Sequence, residues 1–290
     1  MVTQEPASRS HRDLNRGRLL ILLSAFFWSL AGVFIKFLDL DPLTIVFYRS
    51  LFASLVFIPF LKLSEFRFNT AIVVSVISYT AAITAFVSAN KLTTAANAIV
   101  LQYTAPVLVY LFSRLVLGEK IAPANALALA VSMLGVGCIS FDSAGKPEMP
   151  GVVLALVSGV LFAIYMLNLQ RMKELSVSYL TWLNNIFCAV LLLPFSERLL
   201  SLSLDQLCIV AVMGAVQLGL PYFLFSKGLQ TIRLQEAALI ALVEPVLNPL
   251  WVALTVGEIP SFATFVGGAM ILVALAVRYL WPLLSRPSER

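Results

Sequence analysis

The chain has 290 residues, of which 60% are hydrophobic and only 12% are charged. A soluble domain carries about 25% charged residues, so most of this protein is expected to face lipid or other apolar helices. The formal net charge is +5, but the Lys and Arg residues lie in short gaps between apolar runs and form no continuous basic face, which argues against a nucleic-acid partner.

The apolar runs, taken in chain order, predict ten transmembrane helices. A helix needs about 20 residues to cross a hydrocarbon core of about 30 Å, and ten runs come near this length. None of them alternates with the period of two that is typical of a membrane β-barrel, so an all-α integral membrane protein is predicted. The predicted spans are 19–37, 43–61, 70–89, 95–115, 124–141, 151–170, 178–195, 206–227, 235–256 and 262–281.

The distribution of positive charge predicts that both termini are cytoplasmic. With the N-terminus inside, 15 of the 20 Lys and Arg residues lie on its side of the membrane and five lie on the other, the excess that cytoplasmic loops usually carry. Residues 1–18 and 282–290 are then cytoplasmic tails. The run after Arg18 is about eighteen residues long, longer than the 7–15 apolar residues of a signal peptide, and is interpreted as a retained first helix.

One phrase occurs twice and divides the chain into two halves. Tyr103–Lys120 and Leu242–Pro260 each contain a Pro that is followed twelve residues later by Gly-Glu, at an offset of 139 residues. Each half, 19–141 and 151–281, holds five spans, and because five is odd the second half is predicted to be inverted relative to the first. The Glu residues of the phrase are expected to cap or end helices. The repeated positions are Pro106, Gly118 and Glu119 in the first copy and Pro245, Gly257 and Glu258 in the second.

These two halves resemble the EamA-type family of the drug/metabolite transporter superfamily, over about residues 17–281. Tyr48-Arg49 early in the second span and Pro59 at its end also fit the pattern of that family. The resemblance implies a ten-helix transporter with a central cavity, located in the bacterial inner membrane, that exports amino acids or related metabolites. Within the family the chain is similar to YddG-type amino-acid exporters.

The strongest candidate for a functional side chain is Glu244, near the middle of the ninth span. Polar groups at membrane depth are costly and are therefore functional candidates. Desolvation disfavours the charged form of a carboxyl there, so Glu244 could bind a substrate amine or carry a coupling proton. It could instead be a hydrogen-bonded residue packed between helices. Asn248 lies one turn on and shares its face, and the first half has only Ala105 in the equivalent place.

Arg49 is a second ionisable residue within a predicted span. It could attract a substrate carboxylate, or it could form a structural ion pair with Asp39 or Asp41. Leu183 occupies the equivalent place in the second half, so the repeat alone does not require an Arg here. We therefore treat Arg49 as a candidate for coupling or gating.

Aromatic and amide side chains supply the remaining candidates for substrate binding. Binding pockets are largely apolar and aromatic, with a few placed polar groups, although Tyr and Trp also form belts at the membrane interfaces. Proline within a span removes a backbone hydrogen bond and can kink the helix, so Pro106, Pro221 and Pro245 are candidates for gating. The substrate-binding candidates are Trp28, Tyr79, Gln102, Tyr103, Phe162, Tyr165, Asn168, Gln217 and Tyr222.

Other classes of protein are disfavoured by what the sequence lacks. His11 in the N-terminal tail is the only His, and there is no Walker-type phosphate-binding loop, so no enzyme, metal site or cofactor is predicted. The predicted function is a secondary transporter that exports amino acids or small amphipathic metabolites by alternating access. The alternatives are a facilitative uniporter, an importer or exchanger of nucleosides or cationic drugs, an intramembrane enzyme and a channel. The expected partners are the lipid bilayer and a small-molecule substrate, with a monomer or weak homodimer as the assembly.

Overall fold

The computed structural model describes residues 11–61, 67, 69–105, 107–109, 123–143, 145–172, 174–196, 201–232, 237 and 240–284. Within these ranges the secondary structure is helical, with no strand. The helices of the first part of the chain are α1 (His11–Ser29), α2 (Ala31–Phe37), α3 (Pro42–Phe57), α4 (Thr70–Leu92), α5 (Ala95–Gln102) and α6 (Pro123–Ser143).

The second part of the chain begins with two long helices and contains one irregular segment. A π-helix, Met213–Gly219, connects two α-helices without a break. Short 3₁₀ turns follow α3 (Ile58–Phe60) and the first two helices of this part (Gln170–Met172 and Leu193–Phe195). The helices are α7 (Met149–Leu169), α8 (Val177–Leu192), α9 (Leu204–Val212), α10 (Leu220–Leu229), α11 (Val243–Val256) and α12 (Phe262–Leu284).

The helices coincide with the predicted spans. Six helical segments of the described chain are long and apolar enough to cross a membrane, and four shorter apolar helices lie where the remaining spans are predicted. The six are Arg12–Phe37, Pro42–Phe60, Thr70–Leu92, Met149–Leu169, Val177–Phe195 and Leu204–Leu229; the four are Ala95–Val109, Ala130–Ser143, Val243–Val256 and Phe262–Val277.

Polar N-cap residues explain where five of these helices begin. The first N–H groups of a helix have no partner within it, and a side-chain oxygen at the N-cap can accept one of them. Each cap here accepts a hydrogen bond from the backbone N–H three residues on. The caps of α3, α4, α5, α8 and α9 are Asp41, Asn69, Thr94, Ser176 and Ser203 respectively.

The most extensive helix contacts join the first part of the chain to the second. The largest are α4 with α7, α6 with α12, α3 with α8 and α1 with α10. Small residues permit close approach of helices in lipid. A Cβ on Gly135 of α6 would lie 2.5 Å from the backbone oxygen of Gly267 in α12, and the reverse contact is also 2.5 Å. The core of the molecule therefore lies along the interface between the two parts.

Candidate functional site

Arg49 lies on α3 and is only 3% exposed. Within the described part of the chain its Nε and Nη1 have no hydrogen-bond partner, and no ion pair joins it to Asp39 or Asp41. Asp41 is committed elsewhere, because its side chain caps α3 at the N–H of Thr44. A buried guanidinium with open donors is costly, so this side chain is a candidate to bind an anionic group.

The electrostatic environment of Arg49 brings together three of the other candidates. Its charge interacts with Tyr79 of α4, Tyr222 of α10 and Glu244 of α11. These residues come from three different helices, and two of the three lie in the second part of the chain. A positive group, a carboxyl and two phenol groups are therefore close enough to influence one another at the interface between the two parts.

Glu244 is bonded across that interface. Its Oε2 accepts a hydrogen bond from the hydroxyl of Tyr103 at 2.8 Å, and that hydroxyl is also 3.2 Å from the carbonyl oxygen of Ala241. Asn248, one turn on along α11, is completely buried, and neither its Oδ1 nor its Nδ2 has a partner in the described structure. A Cβ at Gly32 of α2 would lie 2.7 Å from that Oδ1, so α2 approaches α11 closely beside this open amide.

An aromatic wall adjoins these polar groups. Trp28 of α1 packs edge-on against Tyr222 with ring centroids 5.2 Å apart, and it lies 5.3 Å from Phe225. Gln217 donates from Nε2 to the backbone oxygen of Trp28 at 3.2 Å, while its buried Oε1 has no partner in the described chain. Gln217 belongs to the π-helix Met213–Gly219, a distortion that often occurs at functional sites. Gln217 Oε1 is therefore a further buried polar atom beside the aromatic wall and a candidate for binding a ligand.

Two asparagines that the sequence argument did not single out hold Tyr79 and Tyr165. Tyr79 donates from its hydroxyl to Asn185 Oδ1 at 3.1 Å, and Asn184 donates from Nδ2 to the hydroxyl of Tyr165 at 3.2 Å. The two tyrosine rings are 5.4 Å apart, and Phe162 lies 5.6 Å from Tyr165. The adjacent Asn residues in the middle of the seventh apolar run were the signal that could have identified them.

The remaining two polar candidates bond to neighbouring helices. Gln102 donates from Nε2 to the hydroxyl of Ser158 at 2.7 Å. Asn168, near the end of α7, donates from Nδ2 to the backbone oxygen of Ala71 at the start of α4 at 2.6 Å. Their polar groups are thus used in contacts between helices, and neither is linked by the described contacts to Arg49 or Glu244.

The prolines have different positions in the structure. Pro245 is the third residue of α11, where an α-helix leaves N–H groups unpaired in any case. Pro221 directly follows the π-helix and lies within the continuous helical segment Leu204–Leu229. Pro249 is the proline that lies inside α11, and the sequence argument did not select it. Pro106 lies outside the described residues.

Comparison with known proteins places the chain in a family. The model of the EamA-like transporter family matches residues 15–141 and again residues 149–280. The chain therefore belongs to the EamA-like transporter family, and it is a multi-pass membrane protein.

Several curated relatives are transporters. An uncharacterized transporter of Archaeoglobus fulgidus is 27% identical over 92% of this chain and 98% of its own length. The human solute carrier family 35 member G1 is 26% identical over 89% of this chain and 77% of its own. The aromatic amino acid exporter YddG of Ancylobacter novellus is 26% identical over 67% of this chain and 70% of its own.

A solved crystal structure supports the fold. It superposes with a TM-score of 0.66 and covers 94% of this chain and 99% of its own, at 18% sequence identity. Likeness at this level of identity concerns the fold alone.

Proposed function

We propose that this protein is a secondary transporter that exports amino acids or related amphipathic metabolites by alternating access. The observation that carries the proposal is the buried Arg49, whose Nε and Nη1 lack partners in the described structure and whose charge interacts with Glu244. A free amino acid carries a carboxylate and an ammonium a few ångströms apart. Arg49 binds the carboxylate with charge-assisted hydrogen bonds, and Glu244 receives the ammonium.

The aromatic wall accounts for the rest of the substrate. Trp28, Tyr222 and Phe225 offer ring surfaces to an apolar or aromatic side chain, and such surfaces are what small-molecule pockets usually present. The name of one relative, an aromatic amino acid exporter, supports the same substrate class. The open amide of Asn248 and the free Oε1 of Gln217 supply further hydrogen bonds.

The transport mechanism follows from the proposed architecture. We infer ten transmembrane helices in two inverted repeats, 19–141 and 151–281, with both termini cytoplasmic and the protein in the bacterial inner membrane as a monomer or weak homodimer. The two matches of one family model and the large contacts between the two parts support the inverted repeat. The candidate site lies on helices from both repeats, so rocking of one repeat against the other exposes it to each face in turn.

Binding in purified proteoliposomes tests the substrate class. The probes are an aromatic amino acid, phenylalanine, together with phenylalaninamide, which lacks the carboxylate, and 3-phenylpropanoate, which lacks the amine. We expect phenylalanine to be exchanged and the two analogues to compete at least about tenfold less well, since each loses one hydrogen-bonded charge. Transport of nucleosides or cationic drugs, with no transport of any amino acid, contradicts the proposal.

A further inference from the structure

Glu258 connects the two repeats at the membrane face where α11 ends. Its Oε2 lies 2.5 Å from Lys36 Nζ, and its Oε1 accepts a hydrogen bond from the backbone N–H of Ala95 at 2.6 Å. Lys36 also donates from Nζ to the backbone oxygen of Thr93 at 2.9 Å. We call Lys36, Thr93, Ala95 and Glu258 the outer latch. Three of its members belong to the first repeat, whereas Glu258 belongs to the second.

The outer latch connects the same helices that carry the candidate site. Lys36 ends the span that contains Trp28, Ala95 begins the helix that leads to Tyr103, and Glu258 follows the helix that begins beside Glu244. At 1.5 Å per residue, Glu258 lies about 20 Å along the axis of α11 from Glu244. A small substrate that contacts Glu244 therefore cannot also contact Glu258.

The latch is only partly buried, which lowers the energetic cost of opening it. The side chains of Lys36 and Glu258 are 16% and 22% exposed, and an ion pair at the membrane surface can exchange its partner for water. A deeply buried pair would leave two unpaired charges on opening. In the middle of the contact between α6 and α12 the backbones of Gly135 and Gly267 meet, and at this face Ser261 Oγ donates a hydrogen bond to Asp142 Oδ2 at 2.8 Å.

We propose that the outer latch is the outer gate of the transporter: it holds the outer face closed in this conformation and breaks when the site opens outward. This inference rests on the proposed alternating-access function and on the proposed orientation. The second Gly-Glu phrase then has a role in the conformational cycle, beyond the ending of a helix.

Thiol labelling from outside intact cells tests the gate without requiring transport. The reporter is Ala98→Cys, which replaces a completely buried residue one turn below Ala95, in a chain whose Cys138, Cys188 and Cys208 are replaced by Ala. We expect Glu258→Gln and Lys36→Met each to raise the rate of modification by a membrane-impermeant maleimide at least tenfold.

The matched control is Lys91→Met. Lys91 lies at the same membrane face and donates from Nζ to the backbone oxygen of Leu38, but both residues belong to the first repeat. Its substitution should leave the labelling rate within twofold of the parent. An unchanged rate in Glu258→Gln, in protein that elutes from a sizing column like the parent, overturns the gate. So does an equal acceleration by Lys91→Met.

A second experiment locks the latch. In Lys36→Cys/Glu258→Cys, a short bifunctional thiosulfonate should abolish exchange of phenylalanine in proteoliposomes, and a reductant should restore it. Full exchange in cross-linked protein contradicts the gate. Absence of exchange in the parent protein counts against the proposed function, while the labelling result still decides the latch.

Discussion

At the scale of single residues, three of the candidate side chains have buried polar atoms without partners in the described structure. Arg49, Asn248 and Gln217 are each at most 3% exposed, and each has at least one side-chain atom without a partner in the described structure. Gln102 and Asn168 are polar as well, but their side-chain amides donate hydrogen bonds to neighbouring helices. An unpaired buried group destabilises the protein, so these three side chains are candidates for binding a ligand; Asn90 and Ser132 each have a buried oxygen without a partner as well.

Arg49→Gln should distinguish a role of Arg49 in substrate binding from a role in stabilising the fold. We expect transport of phenylalanine to fall by at least about tenfold, because a charged hydrogen bond to the substrate contributes about 1.5–3 kcal/mol. The thermal midpoint in detergent should not fall, since the change removes a buried charge that has open donors. Lys146→Met, at a half-exposed position, is the control. A loss of stability together with transport would indicate a structural Arg.

Glu244→Gln tests proton coupling at the same scale. The amide can still meet the hydroxyl of Tyr103, but it carries no charge for the substrate ammonium and cannot release a proton, so exchange should weaken by about tenfold while accumulation driven by a pH gradient is lost altogether. The measurement is uptake into liposomes with and without the gradient. Tyr103→Phe, which removes the 2.8 Å hydrogen bond and keeps the carboxyl, should retain the response to pH. Gradient-driven accumulation by Glu244→Gln would exclude this residue as the proton carrier.

At the scale of helices, glycine positions determine how closely the two parts of the chain can pack. Gly214 of the π-helix lies against α3, where a Cβ would be 2.5 Å from the backbone oxygen of Arg49 itself. The missing side chain therefore lets the segment that carries Gln217 lie directly beside the backbone of Arg49. This contact brings residues of the candidate site together from two repeats.

Two glycines on one helix offer a matched pair of substitutions. Gly135→Ala places a Cβ 2.5 Å from the backbone of α12, whereas a Cβ on Gly137 meets no atom within 4 Å. We expect Gly135→Ala to destabilise the fold by about 1–3 kcal/mol. Gly137→Ala should be neutral or stabilising, because Ala favours a helix over Gly by about 1 kcal/mol. Equal thermal midpoints for the two variants would contradict the close packing of α6 and α12.

At the scale of the whole molecule, the sequence predicted the helices well and the site only in part. Apolar runs and polar caps are local signals, so the predicted span ends at 37, 89 and 170 lie within three residues of the helix ends Phe37, Leu92 and Leu169. The π-helix, Pro249 and the asparagine pair beside Tyr79 and Tyr165 were missed, because their significance depends on which helices face each other. Hydrophobicity along a buried span is nearly uniform, so it does not reveal which neighbouring helix each side of the span contacts.

The proposed orientation can be tested with one helix and two cysteines. Lys146 and Glu174 flank α7, and their side chains are 48% and 90% exposed. In a chain without other cysteines, Lys146→Cys should react with an impermeant maleimide outside intact cells, and Glu174→Cys should react only after the cells are permeabilised. The reverse pattern would place the termini outside.

The pairing of α6 with α12 also has a consequence for biosynthesis. The helix that carries Gly135 is made in the first half of translation, whereas its partner around Gly267 is the last helix of the described chain to leave the ribosome. Until α12 is made, the face of α6 around Gly135 lacks the helix that packs against it in the folded chain. Final assembly is therefore a late event, and ribosomal stalling before α12 should leave a species that membrane proteases recognise.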